Sequence, residues 1–123
     1  MEKIKTKESP LQNKLSDAKE ILIEKNVPWS EKLEKRYLTV SNTLETALNQ
    51  PSVITSEGIV SRQGFAEKLM QMPAGNISFL IAYLTNYDFE IHNVENYITS
   101  SIWNDNGFEK HISSEDIDFL KCL

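Results

Sequence analysis

A chain of 123 residues, 40% apolar and 25% charged, has the make-up of one ordinary globular domain. It is long enough to bury roughly two-thirds of its unfolded surface, so it needs no metal or disulfide to stay folded. The net charge of −5 sits in the second half: residues 1–60 carry nine acids and nine bases, residues 61–123 nine acids and four bases. Such a surface repels nucleic acid and attracts basic partners.

The single cysteine, Cys122, precludes an internal disulfide and fits a reducing compartment. Met1 to Glu8 alternates charged and polar residues and lacks the apolar core of a signal peptide. No apolar run approaches the ~20 residues that span a bilayer. The expectation is a cytoplasmic protein with a flexible tail over 1–8 and a single helical domain over 9–123.

The first helix starts at Ser9, a suitable cap, with Pro10 in its first turn. Leu11, Leu15, Ala18 and Leu22 then share one face. Asn26, Val27 and Pro28 stop it, because the residue before a proline is driven from helical angles. A second helix follows, capped by Ser30, with Trp29, Leu33, Tyr37, Val40, Leu44 and Ala47 as its stripe. It should be ~30 Å long at 1.5 Å per residue. The short link predicts antiparallel packing of these two helices.

Val53 to Val60 reads either as a small hairpin or as an extended connection. Two strands alone are marginal, which favours the connection. Gly64 to Met72 is a third helix, with Ser61 as its cap and Phe65, Leu69 and Met72 on one side. Asn76 is then positioned to cap a fourth helix through Ile77, Phe79, Leu80, Ile81, Ala82, Tyr83 and Leu84. That segment is apolar nearly all round, which places it at the centre. Asn93 caps a fifth helix, which Asp105, Asn106 and Gly107 end. Ser113 and Asp116 have capping-box spacing and open a short last helix. The fold class is all-α: a single-domain bundle of five to six helices, with a minor β-hairpin near 53–60 as an option.

Two patterns invite chemical readings. Gln63, Phe65, Ala66, Lys68 and Leu69, followed by Ile77 and Ser78, resemble the helix-turn-helix of phage-repressor-like DNA-binding domains. That resemblance implies a DNA-binding regulator using residues 64–83. The spacing from Ala66 to Ile77 is one residue too long, Pro73 lies in the turn, and Ser78 to Leu84 offers no Arg or Lys to bases or phosphates. The second pattern is a repeat: Phe89, Glu90 and His92 match Phe108, Glu109 and His111. Two Glu and two His brought together would suit zinc or another divalent ion. The simpler reading makes each Phe an anchor that pins a loop, and each His a solvated side chain. Neither cofactor nor metal is expected.

Enzymatic motifs are absent from the sequence: no glycine-rich phosphate loop, no Gly-x-Ser-x-Gly elbow, and no basic cluster to activate Cys122. What remains is an acidic C-terminal portion. Asp105, Glu109, Glu115, Asp116 and Asp118 lie close in sequence to Trp103 and Phe108. Glu115 and Asp116 also suit the first turn of a helix, where acids are favoured. Together these seven residues make a candidate surface for a basic protein partner, with carboxylates to steer and an aromatic to anchor. The expected function is that of a small non-enzymatic inhibitor, such as an immunity protein, antitoxin or phage inhibitor. The DNA-binding regulator and a structural subunit of a larger assembly are the alternatives.

Overall fold

The computed structural model describes residues 9–87 and 91–122. The tail over 1–8 and the first copy of the repeat at Phe89 and Glu90 lie outside the described residues. The fold is all-α with one small hairpin. Its elements are α1 (Pro10–Glu24), α2 (Glu31–Leu48), β1 (Ser52–Thr55), β2 (Gly58–Ser61), α3 (Arg62–Gln71), α4 (Ala74–Asn86), α5 (Val94–Trp103) and α6 (Ser114–Lys121).

Local chemistry sets most helix starts. Ser9, Ser30, Ser61, Asn93 and Ser113 each accept a hydrogen bond from the backbone N–H three residues on, at 2.9–3.1 Å. Each of these caps contributes about 1 kcal/mol. The end of α1 is set by Asn26, which takes a left-handed φ of 63°. Asparagine tolerates that conformation better than most residues. The turn lets Val27 N–H reach back to Leu22 O at 3.2 Å and buries the Val27 side chain.

The fourth helix departs from the expected pattern at its start. α4 begins at Ala74, and its cap position is Pro73, with no side-chain cap bond. Asn76 is not a cap. It lies inside the helix, 1% exposed, and turns toward the loop after α5. The expected centrality does hold. Ile77, Leu80, Ile81, Ala82 and Leu84 are buried, and α4 packs against α1, α2 and α6.

That central helix changes how α1 and α2 meet. They run antiparallel, since Gln12 reaches Glu45 and Lys19 lies over the rings of Trp29 and Tyr37. Their main packing is nevertheless against α4 rather than against each other. An all-round apolar helix buries more surface in that groove than two amphipathic helices would bury alone. Small residues meet where α1 and α4 touch: Ser78 Oγ donates to Ala18 O at 2.7 Å. One contiguous core results, drawing residues from Leu11 in α1 to Leu120 in α6. Each fully buried leucine, such as Leu15 or Leu44, contributes about 2–3 kcal/mol.

Residues 52–61 form the hairpin, not the extended connection favoured above. Its register pairs Ser52 with Ser61, Val53 with Val60, Ile54 with Ile59 and Thr55 with Gly58. Two strands are marginal alone, and here they are not alone. Val53 is buried in the core, and α5 supplies bonds to β1: Thr99 Oγ1 donates to Ile54 O at 2.7 Å. Ser56 N–H donates to Ser100 Oγ at 2.8 Å. Within the turn, Thr55 Oγ1 accepts from Glu57 N–H, and Gly58 adopts a φ of 105° that suits only glycine.

Candidate docking loop between α5 and α6

The segment from Asp105 to Lys110 has no helix or strand, yet much of its backbone is held. Asp105 Oδ2 accepts from Gly107 N–H at 2.9 Å, and Asn106 Oδ1 accepts from Phe108 N–H at 3.0 Å. These are two successive turns closed by short polar side chains onto the residue two positions on. Gly107 takes a φ of 83°, which completes the reversal. From below, Asn76 grips the loop three times. Its Nδ2 donates to Asp105 Oδ1 at 2.7 Å and to Phe108 O at 2.9 Å. Its Oδ1 accepts from Lys110 N–H at 2.6 Å.

Other elements reinforce this grip. Lys68, on α3, donates through Nζ to Asp105 O at 2.8 Å. Lys110 Nζ lies 5.5 Å from the Phe79 ring centroid, so part of its charge faces an aromatic surface. The loop lies against α4 at Gly75, where a Cβ would meet it at ordinary van der Waals distance. A Cβ there would lie 3.4 Å from Glu109 Oε2 and 3.5 Å from Lys110 O. Beyond the loop, Ile112 is buried and pins the chain before α6.

The seven expected site residues fall into two groups. Asp105 is 7% exposed and spends both carboxylate oxygens on internal bonds. It is a scaffold residue, because a buried carboxylate with donors already in place cannot steer an approaching partner. Asp116 is half-buried, and its Oδ1 accepts from Tyr87 OH at 3.1 Å while its carbonyl accepts from Asn86 Nδ2 at 3.2 Å. Trp103 is half-buried against the first turn of α3, with its ring 3.6 Å from where a Cβ on Gly64 would stand. Phe108, Glu109, Glu115 and Asp118 are exposed. Phe108 is 74% exposed. It does not pin the loop, as the repeat had suggested; Asn76 and Ile112 do that.

The bond to Asp116 pushes the Tyr87 hydroxyl above the ordinary tyrosine range, with partial burial and nearby acids adding to the effect. Tyr87 also belongs to an aromatic chain. Tyr97 stacks on Tyr83, Tyr83 meets Tyr87, and Tyr87 meets Phe119 edge-on at 6.0 Å. This chain links α5, α4 and α6.

Asn76, Lys68 and Gly75 were not expected at the site. The available signal was Asn76 itself, an amide in an otherwise apolar helix, which needs partners wherever it is buried. The two histidines open onto different grooves: His92 with Ile91 and Tyr97, His111 with Lys25 and Gly75. Among the described residues, no three His, Cys, Asp or Glu side chains gather as a metal site would require. Cys122 is exposed.

The helix-turn-helix candidate has a geometry of its own. α3 packs mainly on α5, α2 and the hairpin, and α4 is buried along most of its surface. The α4 residues that are not fully buried, Ala74, Gly75, Phe79 and Tyr83, include no Arg or Lys to bond bases or phosphates. No helix among the described residues is long and apolar enough to cross a membrane. No family model, curated protein or solved structure matches this chain.

Proposed function

We propose that this chain is a small acidic protein-binding domain of the inhibitor type, acting in the cytoplasm by covering a basic surface of another protein. Phe108 is the apolar anchor, and Glu109, Glu115 and Asp118 are the carboxylates that attract the partner. The observation that carries this reading is the contrast within one loop. Phe108 stands 74% exposed while its own carbonyl and the Lys110 N–H two residues on are bonded to a buried asparagine. An exposed aromatic on a preorganised loop loses little conformational freedom on binding, so more of its burial appears as affinity. Aromatic residues dominate the energetics of such surfaces, and rim charges set the rate of encounter.

Asp105 and Asp116 belong to this reading as supports, and Trp103 as part of the packing beneath. The expected action is occlusion, as by an immunity protein, antitoxin or phage inhibitor, and it requires no catalytic group. Affinity capture from the source cell, at low and at high salt, tests it. The expected result is a basic protein retained at low salt, released at high salt, and not retained by the Phe108→Ala variant. Retention of an acidic partner, or equal retention by the variant, would overturn it.

A further inference from the structure

Among the described residues, the hairpin has one covered edge and one open edge. Antiparallel pairs alternate between hydrogen-bonded and non-bonded. Arg62 N–H donates to Pro51 O at 3.3 Å, so that pair is bonded. By alternation Val53–Val60 and Thr55–Gly58 are bonded pairs, and Ile54–Ile59 is not. The backbone N–H and C=O of Ile54 and Ile59 therefore point away from the hairpin. On the β1 side α5 takes up this edge, with Thr99 donating to Ile54 O. β2 packs against β1 and against α3, the helix it runs into. Among the described residues nothing bonds the outward N–H and C=O of Ile59, which form an open strand edge.

The side chains make the same point. Ile54 is 67% exposed and Ile59 72% exposed, and cross-strand partners share a face. Both rim a groove of about 500 Å³ formed with the end of α2 and the start of α5. Glu95 is the one charged residue among the described residues lining it. β2 reads Gly58, Ile59, Val60, Ser61. It carries none of the lysines, prolines or inward charges that blunt an exposed edge.

We propose that the occupant of this edge is a second copy of the chain, paired antiparallel through β2 about a two-fold axis at Ile59. In that register each Ile59 N–H donates to the other Ile59 C=O. The exposed isoleucines line up as Ile54, Ile59, Ile59, Ile54 across one face of a four-stranded sheet. Charge agrees with this pairing. Exposed Glu57 and Arg62 flank the strand at opposite ends. The rotation sets Glu57 of each copy opposite Ser61 of the other and beside its Arg62, at both ends of the pairing. A parallel arrangement would instead set like charges together. The contact is isologous and closed, so it ends at a dimer.

Sedimentation of the full chain from micromolar to millimolar concentration tests the proposal. The wild type is expected to shift from monomer to dimer. Ile59→Glu alone and Ile59→Lys alone should stay monomeric, because like charges meet at the axis. An equimolar mixture of the two should sediment as a dimer. Position 59 is exposed, so both variants should keep the wild-type circular dichroism spectrum. Amide exchange at Ile59 in the wild type gives a second readout that needs no variant, and should slow as concentration rises. A wild type that stays monomeric throughout, leaving the edge to another protein's strand or to none, would overturn the proposal. So would a dimer that persists in Ile59→Glu alone, or exchange at Ile59 that is independent of concentration.

Discussion

Asn76 and Asp105 are joined by a buried hydrogen bond of 2.7 Å, and this contact couples the central helix to the candidate docking loop. Twenty-nine residues separate the two in sequence. Asp105 is the C-terminal neighbour of the residue that caps α5, so the bond also fixes where α5 ends relative to α4. The same amide holds Phe108 O and Lys110 N–H.

Replacing Asn76 with alanine should therefore be costly. It removes three hydrogen bonds and leaves the Asp105 carboxylate buried with one oxygen unpaired. A loss of about 2–3 kcal/mol is expected. Urea unfolding of the variant measures it. A change within about 0.5 kcal/mol, the range of ordinary surface substitutions, would mean that the loop does not depend on this residue.

Phe108→Ala should separate binding from folding. The side chain is 74% exposed, so stability should move by no more than about 0.5 kcal/mol. Partner affinity should fall by about 2 kcal/mol, roughly 30-fold, as for a central aromatic anchor. Thermal melting and a binding titration on the same preparation check both halves.

Leu80→Ala tests the centrality of α4. Leu80 is buried on a helix that packs against three others. Truncation should cost about 2–5 kcal/mol, depending on how far the site collapses. That is a large share of the stability of a domain this size. Denaturant titration supplies the value.

Alkaline stability should report the bond between Tyr87 and Asp116. The folded state raises the Tyr87 pKa above its unfolded value of 10.0, chiefly through that hydrogen bond. The folded protein then holds the proton more tightly than the unfolded chain does. The stabilisation is complete below pH 10.0 and is lost as pH rises through the folded pKa. Tyr37 is shifted the same way, chiefly by burial and then by Glu34. Tyr87→Phe should flatten the decline in stability above pH 10.0 without abolishing it. Unfolding curves across that range check the sign.

Features that depend on neighbours in sequence are legible from the residues alone. Ser9, Ser30, Ser61, Asn93 and Ser113 act as caps because each bond closes within three residues. The core stripes of α1 and α2 follow from spacing alone, and so does the burial of α4. Asn76 shows where that logic stops. Its identity suits a cap, but its partners lie 29 to 34 residues away. The hairpin has the same character. Its strands are short, and what favours them comes from Thr99 and Ser100 on a helix later in the chain. Charge counting misplaces Asp105, since it treats every carboxylate as solvated. Only the donors on Asn76 and Gly107 make its burial tolerable.

The most direct measurement is the salt dependence of partner affinity. It should be made for the wild type, for Phe108→Ala, and for a triple variant carrying Glu109→Gln, Glu115→Gln and Asp118→Asn. Wild-type affinity should fall steeply as salt rises, because exposed charges are screened over about 10 Å at 0.1 M. The triple variant should flatten that slope. Phe108→Ala should lower affinity by a similar factor at every salt concentration. A salt-independent wild type, or a triple variant with the wild-type slope, would contradict a docking surface built on these carboxylates.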